Sequence, residues 1–258
     1  MRVPAFVRPV TDRLLAGVRV PVVSGVNRGR WWSLISAGSG YASGRRASSQ
    51  MELLAALVRP DDVVWDVGAH HGYVTLAAAR QAGARGAVHA FEPSATNRAV
   101  LQRHVRWNRL GNVAVHPYAL SDFDGALNFG GNGTSKMYAL GAGSETVDVR
   151  RGATLVEQGV CAPPTFMKID VEGAEGEAIA GTLPVLPRSA RLFVAVHGPA
   201  ADERCRHLLD AAGFELVPSR ALEESRRAEW RSDPDLFCIG PECESRERDL
   251  ALLRASGF

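Results

Sequence analysis

Short runs rich in β-branched and other apolar residues recur along the chain at Val63–Val67, Ala87–Phe91, Val113–Pro117, Phe166–Asp170 and Leu192–His197. Stretches with helical spacing of apolar residues fall among them, at Val74–Gln81, Ala95–Asn108, Glu175–Leu183 and Ala201–Ala212. This alternation constrains the fold more than any other feature. A strand followed by a helix and a second strand returns to the same edge, so the strands lie parallel and the helices cover both faces. Two later runs, Phe214–Val217 and Leu236–Ile239, extend the pattern. The expected architecture is α/β, a sheet of seven strands, mostly parallel, with helices on both faces.

Around that core the chain divides into three parts. Residues 1–47, rich in Arg, Gly and Ser with Phe6, Val10, Leu14 and Leu15 at helical spacing, read as a mobile or capping arm. From Ser48, which with Ser49 offers an N-cap, a helix runs through Met51, Leu54, Leu57 and Val58 until Pro60 stops it. Residues 48–241 form the main domain, with a charged connection across Glu223–Arg231, and 242–258 form a polar helical tail. The connection 121–163 is far longer than a crossover loop, with a glycine-rich centre from Gly125 to Gly143, and is expected to be an insertion that walls a pocket.

Charge and cysteine usage exclude several classes. Lys and Arg number 30 against 28 Asp and Glu, a formal charge of +2, so the basic excess of a nucleic-acid binder is absent. Cys161, Cys205, Cys238 and Cys243 form no C-x-x-C pair and have no His at zinc-finger spacing, which reads as reduced packing residues and a cytoplasmic location. No run approaches the roughly 18 apolar residues of a membrane span, and Arg19 and Pro21 break the apolar part of the N-terminus. Nearly all the positive charge is Arg: Lys136 and Lys168 are the only lysines.

The first strand runs into Asp66-Val67-Gly68-Ala69-His70-His71-Gly72-Tyr73 and then a helix. A glycine-bearing turn there admits a ligand close to the backbone, with N–H groups available to an anion. No G-x-G-x-x-G triplet can be placed, so a nicotinamide dinucleotide fits poorly. Asp66 at the strand end suits a cationic ligand instead, and S-adenosylmethionine offers a sulfonium, an ammonium and a carboxylate. Glu92 ends the second strand, where an acid accepts ribose hydroxyls; charge compensation for the following helix is its plainer use. After the third strand, Ser121 or Asp122 is placed to bond an exocyclic amine.

Alternation along Phe166–Asp170 puts Lys168 and Asp170 on one face and Met167 and Ile169 on the other. A lysine inside a buried parallel strand needs a partner. Glu172 and Glu175, at a helix start, have dipole compensation and capping as their plain role. His197 closes an otherwise apolar strand and opens onto the edge that carries Asp170, where ligands bind in α/β sheets.

These residues resemble the FkbM-type S-adenosylmethionine-dependent methyltransferases. The matching stretches are Asp66-Val67-Gly68-Ala69 with Gly72-Tyr73, Phe91-Glu92-Pro93 with Asn97 and Asn108, Ala119-Leu120-Ser121-Asp122, Lys168 through Glu175, and His197. The resemblance implies a class I methyltransferase (Rossmann-like) fold, S-adenosylmethionine as donor, and usually O-methylation of a sugar, polyketide or other secondary metabolite. It implies that Asp66, Gly68 and Glu92 are cofactor residues, and around them Ala69, His70, Gly72, Tyr73, Pro93, Asn97, Ala119, Leu120, Ser121, Asp122 and Asp170 are the further candidate cofactor contacts. The chain departs from the family where Asn commonly follows Gly-Ala, carrying His70 and His71.

The expected chemistry is in-line displacement, in which an acceptor hydroxyl attacks the sulfonium methyl while a base takes its proton. His197 is the first choice as base, because an unperturbed pKa of about 6.5 leaves it largely neutral at pH 7. Asp170 orients His197 or the acceptor, and Lys168 is its charge partner. Mg²⁺ held by Asp170, Glu172 or a neighbour is the less favoured alternative, and a non-catalytic binding module of the same fold is a rival from another class. The expected partner is a small hydroxylated acceptor, with oligomeric state left open.

Overall fold

The computed structural model describes residues 17–34, 36, 39–43, 49–130, 139–140, 145–227, 234–256 and 258. Phe6, Val10, Leu14, Leu15 and the cap at Ser48 lie outside that set. The described part of the arm holds an antiparallel ribbon, β1 (Arg19–Pro21) and β2 (Trp31–Ser33), and a helical turn at Ser39–Ala42. The main domain follows with α1 (Ser49–Leu57), β3 (Val63–Val67), α2 (Tyr73–Ala82), β4 (Ala87–Phe91), α3 (Ala95–Trp107) and β5 (Val113–His116). The connection then contributes β6 (Ala119–Leu120), β7 (Gly125–Gly130), β8 (Ala139–Leu140), β9 (Glu145–Arg150) and α4 (Gly152–Glu157). The chain returns through β10 (Phe166–Ile169), α5 (Glu175–Thr182), β11 (Arg191–Ala195), α6 (Pro199–Ala211), β12 (Glu215–Pro218), α7 (Arg220–Arg227), β13 (Asp235–Ile239) and α8 (Arg246–Ala255).

The main sheet has seven strands in the order β12-β13-β11-β10-β3-β4-β5. β13 runs antiparallel to both neighbours and all other pairs are parallel. In register, Lys168 stands opposite Asp66 on β3 and Phe193 on β11.

Strand alternation divides the core as the sequence implies. Trp65, Val67, Met167, Ile169, Leu192 and Val194 pack with Ile179, Cys205 and Leu209 from α5 and α6. Val64, Val88, Phe166, Phe193 and Phe237 pack with Leu54, Leu57, Ala78 and Leu253 from α1, α2 and α8. Each such side chain contributes roughly 1.5–3 kcal/mol of burial, so both helical layers are held to the sheet without cross-links; the cysteines are free and buried.

The connection after β5 contains a folded unit. β6, β7, β8 and β9 form a second sheet in the order β6-β9-β7-β8. Its signal is the stretch Glu145–Arg150, whose burial alternates with Val147 and Val149 inward, the period-two pattern of a half-buried strand. Residues 131–138 and 141–144 of the glycine-rich centre lie outside the described residues. The charged connection near Glu223 also contains a helix, α7, anchored by buried Leu222.

At the N-terminal edge of the sheet, Arg191 is 1% exposed and donates to both oxygens of Asp62 at 2.7 and 2.8 Å and to the Leu57 carbonyl at 2.5 Å. The Thr165 hydroxyl donates to Asp62 at 2.6 Å, and the guanidinium lies over the Phe166 ring. Among the described residues no helix is long and apolar enough to cross a membrane.

Candidate active site

The C-terminal ends of β3, β10 and β11 meet at one edge, and the residues read from the sequence gather there. Lys168 points into this edge from the buried strand β10. Its ammonium is 3.4 Å from Asp66 Oδ1, 3.4 Å from Asp170 Oδ2 and 3.1 Å from the Gly68 carbonyl. Burial works against the charged form, but Asp170 and Asp66 outweigh it and hold the amine above its ordinary value. The partner expected for Lys168 is therefore Asp66 as well as Asp170.

The Asp66 side chain has no exposed surface, and its second oxygen accepts the Thr75 hydroxyl of α2 at 2.6 Å. Asp66 therefore ties Lys168 to the start of α2 beneath this edge. The turn after it differs from a free anion cradle. The N–H groups of Gly68 and Ala69 donate to the Phe91 carbonyl, that of His70 to Glu92 and that of Gly72 to Ala69. Gly68 is required by packing: it sits at φ +78°, and a Cβ there would fall 1.9 Å from the Asp170 carbonyl oxygen. His70, at φ +50°, is a non-glycine residue in the same left-handed region, the kind of backbone strain that gathers at functional sites.

Glu92, 4% exposed, ties this turn to the tip of β4. It accepts from the N–H of His70 at 2.7 Å and of Ser94 at 3.0 Å, and from the Asn97 amide at 3.5 Å. Burial pushes its carboxyl up to about 7, against those three donors and the Lys168 charge. Three of the roughly four acceptor positions of a carboxylate are thus engaged, leaving less room for two ribose hydroxyls than the sequence reading assumed. Pro93 offers its carbonyl to Arg98.

Ala119 and Leu120 are buried in β6, and Ser121, 2% exposed, donates its N–H to the Arg150 carbonyl of β9 at 3.0 Å. The Asp122 carboxylate accepts from Arg204 of α6 at 3.1 Å. The stretch Ala119–Asp122 therefore begins the second sheet and is clamped to α6.

His197 lies two residues beyond β11, 10% exposed at the side chain. Its Nδ1 is 2.7 Å from Glu175 Oε1, while Nε2 is 3.7 Å from both Asp170 Oδ1 and Glu172 Oε2. Burial disfavours the imidazolium, but the Glu175 hydrogen bond and the charges of Glu175, Asp170 and Glu172 prevail and push the ring up to about 9. The expectation of a largely neutral ring at pH 7 is therefore corrected: three carboxylates keep it a cation there. Asp170 and Glu172, with side chains 44% and 39% exposed, carry the open face of the cluster. Among the described residues no group of His, Cys, Asp and Glu is arranged to hold a metal ion.

A cavity of about 130 Å³ opens beside Lys168 and Asp170, walled by Gly68, Ala69 and Tyr73, by Gln50 and Leu54 of α1, by Asp235 of β13 and by Trp32 and Tyr41 of the arm. Tyr73 is 6% exposed and its buried hydroxyl has no hydrogen-bond partner among the described residues. Gln50 donates to the Asp235 carboxylate at 2.7 Å.

The arm is fastened to this edge by a chain of polar contacts. Ser33 N–H donates to His104 Nε2 at 2.9 Å, which leaves the proton on Nδ1 to donate to the His71 carbonyl at 2.7 Å. Ser36 Oγ lies 2.7 Å from His71 Nδ1, Asn108 pairs with both backbone groups of Trp31, and Trp32 stacks on His104 at 4.0 Å. Burial pushes His104 down to about 4 and His71 down to about 3, so both stay neutral. Sequence reasoning missed this use of His71 and His104, and it missed Gln50 and Asp235, whose separation leaves no local signal; Glu175 was noticed only as a helix-start acid.

A family model described as the methyltransferase FkbM domain matches residues 66–216. The hexuronic acid methyltransferase AglP of Haloferax volcanii is 30% identical over 167 residues, covering 63% of this chain and 67% of that one. A crystal structure of a methyltransferase FkbM from Methylobacillus flagellatus aligns with a TM-score of 0.50 at 18% identity, over 71% of this chain and 45% of that one.

Proposed function

The chain belongs to the FkbM methyltransferase family, with S-adenosylmethionine as cofactor, and from that premise we propose that it methylates a hydroxyl oxygen of a sugar or similar small hydroxylated molecule, with His197 as proton acceptor. One observation carries the reading. His197 Nε2 and Asp170 face each other at 3.7 Å on the strand edge that also presents the Gly68 turn and Lys168. The relative that acts on a hexuronic acid supports a sugar acceptor.

The residues fit the cofactor. Gly68 lets the turn come against the Asp170 backbone, and the cavity beside it has in its wall the Tyr73 hydroxyl, unpartnered among the described residues. Its volume, about 130 Å³, is smaller than the roughly 300 Å³ of a whole ligand pocket, so it houses one end of a ligand. Glu92 has an acceptor position left for a ribose hydroxyl, and the Asn97 contact, the longest of its three at 3.5 Å, is the one that yields to a second. When bound, S-adenosylmethionine supplies an electrophilic methyl on a sulfonium.

The chain's own residues then have distinct tasks. Lys168 holds Asp170 and the Gly68 carbonyl in place, so the tip of β10 keeps a fixed distance from the turn of β3. An alcohol is a poor nucleophile while it keeps its proton, and His197 Nε2 is the nitrogen turned toward the edge where that proton leaves. Because the resting ring is a cation, only its deprotonated fraction works as a base, and turnover rises with pH toward about 9. A second reading gives the proton to Asp170, whose half-exposed carboxylate is open beside the imidazolium; turnover would then be flat across that range. Calorimetry with S-adenosylmethionine, followed by transfer of a labelled methyl group to a panel of neutral sugars, uronic acids and hydroxylated metabolites at pH 6 to 10, tests donor, acceptor and base together. No binding, or label on nitrogen or carbon, sinks the proposal.

A further inference from the structure

Glu175 opens α5 and has no exposed surface. A carboxylate at a helix start ordinarily serves the helix dipole from the surface, and Glu177 in the same turn, 36% exposed at the side chain, does that. Burying the charge outright costs far more than the dipole returns, so dipole compensation does not account for Glu175. Its Oε1 is the atom in use. It takes the Gly173 N–H at 3.0 Å and meets Nδ1 of His197 at 2.7 Å, while Oε2 has no hydrogen-bond partner among the described residues. The turn it braces is strained, with Glu172 at φ +53° and Gly173 at φ +101°.

We infer that Glu175 is a positioning residue: by accepting the Nδ1 proton of His197 and the Gly173 N–H on one oxygen, it locks the ring so that Nε2 alone faces the transfer edge, and it holds Glu172 beside that nitrogen. The inference rests on the reading of His197 as base. Its chemical content is the choice of tautomer. A neutral imidazole with its proton fixed on Nδ1 has its lone pair on Nε2, the only arrangement in which this ring can receive a proton from a hydroxyl at the edge. Among the described residues the other groups around the ring do not compete for Nδ1. Asp170 and Glu172 lie toward Nε2, Lys168 is bound to Asp66, Asp170 and Gly68, and on α6 Arg204 is paired with Asp122 and Glu177. Cys205, also on α6 and coupled to Glu175, is a buried thiol pushed well above its ordinary value and stays neutral.

The experiment uses the full chain and three variants, Glu175→Gln, Glu175→Ala and His197→Gln, the last to assign the ring signals. Glu175→Gln keeps an acceptor oxygen for both donors and removes the charge. Nitrogen-15 spectra of the His197 ring between pH 6 and 10.5 are expected to show the Nδ1-protonated tautomer in the wild-type protein and in Glu175→Gln, with the midpoint in Glu175→Gln lowered by about one pH unit or more. The alkaline rise of kcat should move down with it while S-adenosylmethionine affinity stays within about twofold, since Glu175 touches no cofactor residue. In Glu175→Ala the neutral ring should populate both tautomers and kcat at high pH should fall about tenfold or more, with Gln restoring it. If Glu175→Ala fails to fold, the Gln variant alone decides. An unmoved ring midpoint in Glu175→Gln overturns the inference. A midpoint that moves while the kcat profile does not leaves Glu175 holding the ring and overturns the base role of His197 instead.

Discussion

The two ends of the central strands hold a buried acid and base each, and they are built to opposite specifications. At the N-terminal edge Arg191 and Asp62 form a closed bidentate pair, with Thr165 and the Arg59 N–H filling the remaining positions of the carboxylate. At the C-terminal edge one ammonium, Lys168, is shared between Asp66 and Asp170 at 3.4 Å each, and Asp170 and Glu172 remain about two-fifths exposed. The first arrangement is saturated and can only hold the strands together. The second stays partly open to solvent, and its acids keep His197 charged and give the edge something to offer a ligand. Ion pairing by itself does not separate the two ends; the exposure of the paired acids does.

The widest separation between the two ends should come from His197→Ala. With the base gone, kcat is expected to fall by about 10² to 10⁴, with S-adenosylmethionine affinity nearly unchanged in calorimetry and a lower melting temperature, because buried Glu175 loses its partner. A folded variant that turns over normally would make the upper edge as purely structural as the lower.

Arg191→Met should do the reverse. It leaves Asp62 buried and unpaired, which costs roughly 3–5 kcal/mol of stability, read as a lower urea midpoint, while turnover per folded molecule stays the same. Loss of activity without loss of stability would break the division of labour.

Glu92→Ala belongs to the upper end but acts on binding. Losing its charge-assisted hydrogen bonds should weaken S-adenosylmethionine by roughly 1.5–3 kcal/mol, and an unchanged dissociation constant would confine Glu92 to bracing His70 and Ser94.

The smallest effect is on stability against pH. His197 has a folded pKa raised from 6.5 to about 9, so the native state keeps a proton that the unfolded chain has lost. Its contribution is complete below pH 6.5 and disappears as pH rises through 9. With Asp170 and Glu172 partly solvated, the loss is discounted to about 1–2 kcal/mol, and denaturant titrations at pH 6.5 and 9.5 should show it in the wild-type chain and not in His197→Ala.

The sheet was legible because its strands carry their own period. Lys168 and Asp170 share a face, Met167 and Ile169 share the other, and the edge that carries Asp170 also carries His197, all as alternation requires. The protonation state of His197 was not legible, because it depends on Glu172 and Glu175 arriving from a turn and a helix whose acids have an ordinary explanation at a helix start. The pairing of Asp66 with Lys168 was not legible for a related reason. Register across β3 and β10, which sets it opposite Lys168, is a tertiary fact that no local pattern states. The arm's polar clasp through Ser33, His104 and His71 joins segments far apart in sequence and could not be foreseen from either.

Lys168 also has a use at the bench. The chain contains only one other lysine, Lys136, so amine-directed reagents have few targets, and the Lys168 amine is 7% exposed and held by two carboxylates and a carbonyl. Acylation at that position must wait for the strand tips to part. The rate at which a small amine-reactive ester labels Lys168, followed by peptide mass analysis, therefore reads the opening frequency of this edge directly. Added S-adenosylmethionine should slow that clock, with no need to know which acceptor the enzyme methylates.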